Sequence, residues 1–105
     1  MQATISKIKT LENFINKHGD DAYISNTLAK MVEYKIQQYD ENIAALQHDL
    51  QVFEKTYAMT SAEFFAQFKN GSLGDEMDFI EWAALYEMRQ NLFDKKKELA
   101  GAIND

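Results

Sequence analysis

The chain has no cysteine and no proline, only four glycines in 105 residues, and no apolar run long enough to cross a bilayer. Each absence removes a class of protein. Without cysteine there is no disulfide, no thiolate metal site and no thiol nucleophile. Without proline, and with glycine sparse, the turn chemistry of β-rich and mixed folds is missing. The opening segment MQATISKIKTLENF lacks the apolar core of a signal peptide, so a cytoplasmic location with no membrane contact is expected. Positive charge is short as well. Eleven Lys and Arg face seventeen Asp and Glu, a net charge of −6. Nucleic-acid binders draw affinity from basic stripes. Here the longest basic run is Lys95-Lys96-Lys97, set beside acidic residues. The charge favours a basic protein partner over nucleic acid.

Apolar residues are plentiful. They make up 46% of the chain, including one tryptophan, five tyrosines and seven phenylalanines, enough for one all-α domain over residues 1–105. Ile5, Ile8, Leu11 and Ile15, with Phe14 beside them, predict a short helix over 4–17, with Thr4 as its N-cap and Gly19 as its left-handed terminator. From Ser25 to Tyr57 no glycine interrupts the chain. Ile36, Tyr39, Ile43, Leu46, Leu50, Phe53 and Tyr57 alternate in steps of three and four, a heptad stripe extended by Leu28 and Val32. A rod with such a stripe needs a cover. A parallel self-pairing would set Asp49 against Glu54 and crowd aromatic rings at the d positions, so the charge pattern favours an antiparallel helix from the same chain. Residues 78–103 supply one, with a stripe of Phe79, Trp82, Ala83, Tyr86, Leu92, Phe93, Leu99 and Ile103, and with Arg89 and Lys95–Lys97 as countercharge. The longer second helix is then expected to overhang, leaving Leu28, Met31 and Val32 for the first helix or for another molecule.

Between the long helices lies TSAEFFAQFKNGSLGDEMDFIEW, residues 60–82. Thr60 with Glu63 matches a capping box, and Met59 with Phe64 a hydrophobic staple. A short helix over 61–69 presents Phe64, Phe65 and Phe68. Gly71 and Gly74 allow two sharp turns. Asp75, Asp78 and Glu81 suit the start of the next helix, Asp78 with Glu81 as a weaker cap. The same three carboxylates are the best candidates for a cation or an acid–base pair, but capping accounts for all of them. Gly71-Ser72-Leu73-Gly74 has no phosphate-loop lysine and is followed by acids. His48 falls on the heptad's outer face, and His18 in the last turn of the first helix suits the helix dipole; neither has triad partners. No catalytic residue, metal ligand or cofactor is assigned.

Residues 53–92 match a pattern of F-E-x-x-Y-x-M-[ST], E-[EF]-F, G-x-L-G-D and [DE]-x-D-F-x-E-W. The match runs through Phe53, Glu54, Tyr57, Met59, Thr60, Glu63, Phe64, Gly71, Leu73, Gly74, Asp75, Asp78, Phe79, Glu81 and Trp82. This stretch resembles small prokaryotic coiled-coil proteins of the antitoxin type; the first helix lies outside it. The resemblance implies a non-enzymatic protein that neutralises a toxin by binding, and the acidic charge suits a basic one. Overhang, aromatic surplus and charge make Leu28, Met31, Val32, Phe65, Phe68, Trp82, Asp75, Asp78 and Glu81 the candidate partner contacts. A homodimer or a partner protein is expected to cover some of the aromatic surface. A self-assembling structural coiled coil with no toxin partner is the alternative.

Overall fold

The computed structural model describes residues 2–103. All regular structure among them is helical: α1 Gln2–His18, α2 Ala22–Tyr57, α3 Ser61–Lys69 and α4 Met77–Ile103. The hairpin expected from the heptad stripe is present. Lys96 Nζ meets Asp40 Oδ1 at 2.6 Å, and the Tyr57 hydroxyl donates to Asp78 Oδ2 at 2.7 Å. These bonds tie position 40 to 96 and 57 to 78, so numbers rise along α2 as they fall along α4. The pair is antiparallel. Ile43, Leu46 and Leu50 of the stripe are buried, and Ile36, Tyr39, Phe53 and Tyr57 are half-buried at the seam. His48 is exposed, as its heptad position requires.

The core is concentrated at the elbow. Leu50, Phe64, Trp82 and Ala83 form one cluster, surrounded by Phe53, Tyr57, Met59, Phe65, Phe68, Leu73, Phe79, Leu85 and Tyr86. The rings of Phe64 and Trp82 stack at 3.8 Å between centroids and 4° between planes. At that distance the two rings lie nearly face to face, so the pair contributes mainly through the apolar area it buries.

Local chemistry explains most of the helix ends. Gly19 (φ +93°) closes α1 by donating its N–H to Ile15 O. Gly71 (φ +83°) closes α3 through a Schellman pair, Ser72 N to Gln67 O and Gly71 N to Phe68 O. At the end of α2 the left-handed position falls instead on Ala58 (φ 53°), whose N–H and that of Met59 both donate to Glu54 O. Thr60 caps α3, accepting from Glu63 N at 3.1 Å. Glu63 does not return the bond among the described residues; the carboxylate that reaches a free N–H is Glu54, accepting from Ser61 N at 2.8 Å.

Four expectations are corrected. Thr4 lies inside α1 rather than at its cap, because the helix already runs from Gln2. α2 starts at Ala22 rather than Ser25, because Asp21 in extended backbone accepts from Ile24 N at 3.0 Å and acts as N-cap. Asp78 stands within the first turn of α4 instead of capping it, since Glu76 O already accepts from Phe79 N and Ile80 N. On α4, Phe93 is exposed. The half-buried or buried positions of α4 are 79, 82, 83, 85, 86, 89, 92, 96, 99 and 100, which places Arg89 and Lys96 in the seam. The Lys96 stem covers apolar surface while its ammonium reaches out to Asp40, whereas Arg89 lays its guanidinium over the Tyr86 ring with Nε buried. The side chain of Ile103, included in the expected stripe, lies outside the described set.

Candidate functional site

Two surfaces collect the candidate contacts, one at each end of the rod. At the elbow, Trp82 is wholly buried. Its indole N–H donates to Ser61 Oγ at 2.9 Å, itself buried, while Glu54 holds Ser61 N. The expectation that Trp82 meets a partner is therefore corrected. It is the central core ring, enclosed because α3 folds Phe64 over it. Phe65 is half-buried against Tyr86 at 4.7 Å, with Lys69 Nζ 5.4 Å from its ring. Phe68 is half-buried against Phe64 at 5.6 Å. Both keep an outer edge in solvent.

The start of α4 presents the exposed side of this elbow. Asp75, Glu76, Asp78 and Glu81 are all exposed, with no Lys or Arg in the segment 75–81. Among them stand two apolar side chains that sequence reasoning did not single out, Met77 at 79% exposure and Ile80 at 46%. The spacing carried that signal, because Ile80 falls between the inward positions 79 and 82. Asp78 has a second task. Accepting the Tyr57 hydroxyl, it holds that phenol above its ordinary value near 10, through the hydrogen bond first, then desolvation and the negative charges of Asp78 and Glu76. Among the described residues, no three His, Asp or Glu side chains converge at the spacing of a metal site.

At the other end, α1 buries none of its residues, and none of its Cα atoms lies within 8 Å of one on another helix. Ile5, Ile8, Leu11 and Phe14 are exposed, Ile8 at 56%. On α2, Leu28 and Met31 are exposed, Met31 at 60%, and Val32 is half-buried. The structure gathers Leu28 and Val32 with Ile15 and Ile24 around an open hollow of about 540 Å³ that Ala102 of α4 also reaches. A second hollow of about 230 Å³ separates Leu28 from Ile8, Leu11 and Ile15. α1 thus leans toward the overhang of α2 without closing on it. His18 packs its ring 4.8 Å from Phe14 and takes no part in either surface.

Comparison with protein-family models, curated proteins and solved structures finds no significant match to the chain. Among the described residues no helix is long and apolar enough to cross a membrane.

Proposed function

We propose that the chain is a non-enzymatic protein-interaction module, an antitoxin-like component that neutralises a basic partner protein in the cytoplasm by covering it. The observation that carries this is the exposed surface at the start of α4. Met77 and Ile80 offer apolar anchors among the exposed acids Asp75, Glu76, Asp78 and Glu81. An apolar centre in a charged rim is the anatomy of a protein interface, and acids of one sign select and steer a basic partner. The resemblance of residues 53–92 to antitoxin-type proteins supports the same reading. A second reading, a self-assembling homodimeric coiled-coil scaffold, is favoured by the uncovered stripe of α1.

The test is co-expression with the product of the reading frame beside its gene. The expected result is growth arrest by that product alone, relief by the wild-type chain, and loss of relief when Asp75→Lys, Glu76→Lys and Glu81→Lys are combined. Arrest that the wild-type chain does not relieve, or no arrest at all, would remove the antitoxin reading.

A further inference from the structure

We infer that the open face formed by α1 and the first third of α2 is a two-fold interface at which a second copy of this chain docks, the α1 of each seated on the hollow of the other. This deepens the homodimer reading above by naming the face, and it stands apart from the elbow surface.

Four observations carry it. The first is the state of α1. An isolated helix of its length is marginal in water, and helices of globular proteins hold because an apolar face is packed. Here the seventeen-residue α1 shows a stripe of Ile5, Ile8 and Leu11 with no helix of its own chain packed on it. A cover is required, and the hairpin has no spare element to give.

The second is area. The chain exposes 8055 Å². A compact monomer of 12.1 kDa is expected to expose roughly 6,000 Å². The excess is more than twice the roughly 800 Å² that each partner loses in a standard stable interface. The radius of gyration agrees: 19.8 Å against about 13 Å for a compact domain of this length.

The third observation chooses the occupant. α1 carries Lys7, Lys9 and Lys17 against Glu12 alone, a formal +2, which leaves −8 for the rest of a chain whose total is −6. α1 itself supplies five of the six residues lining the smaller hollow, Glu12 among them, and the larger hollow has Asp20; neither has Lys or Arg. The lysines of one copy's α1 therefore complement the acids at the other copy's hollow. Two copies related by a two-fold axis satisfy both halves at once, which is what a self-complementary interface requires. The fourth is continuity. The stripe on α1 faces Leu28 across the smaller hollow, so a helix laid there would touch both walls in one contact.

The test uses the full chain in sedimentation equilibrium. Wild type is expected to be a dimer. Ile8→Glu with Leu28→Glu should raise its dissociation constant about thirtyfold or more, the effect of losing one interface hot spot. Met77→Glu with Ile80→Glu should leave it unchanged. Lys7→Glu with Lys9→Glu, which keeps the apolar stripe, should weaken the dimer and flatten its dependence on salt. Because the chain has no cysteine, a Leu11→Cys chain mixed with a Met31→Cys chain should give a disulfide-linked heterodimer under mild oxidation. This readout holds even if a glutamate variant fails to fold. A dimer that survives Ile8→Glu with Leu28→Glu, or an absent cross-link, overturns the inference and leaves self-association standing. A monomeric wild type overturns both and leaves the antitoxin reading untouched.

Discussion

Ala58 holds a left-handed backbone conformation that costs an L-residue roughly 1–2 kcal/mol and a glycine almost nothing. Ala58→Gly should therefore stabilise the chain by about 0.5–1 kcal/mol after the entropy glycine loses on folding, measured by urea denaturation. Nothing in TYAMT marks this position, because the helix has to end there only so that Thr60 can cap α3 and Phe64 can reach Trp82. At Ser61 the expected sign is opposite. Ser61→Ala strips the buried indole N–H of Trp82 of its acceptor and should cost about 1–3 kcal/mol by the same measurement. Tyr57 provides a test in pH. Its phenol is raised above about 10 in the folded chain, so the stability it contributes is complete below pH 10 and is lost as pH climbs through the raised value. Thermal melts above pH 10 should fall more steeply for wild type than for Tyr57→Phe.

Among the elements, α2 was legible because its apolar positions are interrupted by nothing, and α3 because Thr60, Glu63 and Gly71 mark both of its ends. The seam of α4 was legible in part: Phe79, Trp82, Ala83, Tyr86, Leu92 and Leu99 are covered as expected. Two further seam positions are Arg89 and Lys96, which read as solvent-facing when only apolar residues are counted, and that count runs the stripe through the exposed Phe93. The candidate site was legible by composition more than by contact. The exposure of Asp75, Asp78, Glu81, Leu28 and Met31 followed from pattern, whereas the burial of Trp82 depends on α3 folding back, which no spacing within one helix encodes. The seam and the overhang of α2 should respond differently to the same change. Leu50→Ala should cost about 2–5 kcal/mol, because Leu50 is almost fully enclosed. Leu28→Ala should cost less than about 1 kcal/mol to the isolated chain at concentrations too low for association. Arg89 adds a third case. Its guanidinium lies 5.3 Å over the Tyr86 ring, but its buried Nε has no hydrogen-bond partner among the described residues, so Arg89→Met should stabilise by about 1 kcal/mol in denaturant titration.

The whole molecule measures 59 × 23 × 20 Å, and its length is close to the roughly 54 Å of a 36-residue α2. α1 therefore turns back alongside instead of prolonging the rod, and stability should grade from one end to the other. Amide exchange should be fastest in α1 and slowest around Leu50 and Trp82, with α1 gaining protection as concentration rises if copies meet there. Trp82, the one tryptophan of the chain, sits at the well-packed end against Phe64 and far from the open one. Its emission is consequently a gauge of the elbow alone. A melt followed by fluorescence will report the hairpin opening and pass silently over any earlier loss of the first helix, which only circular dichroism will register.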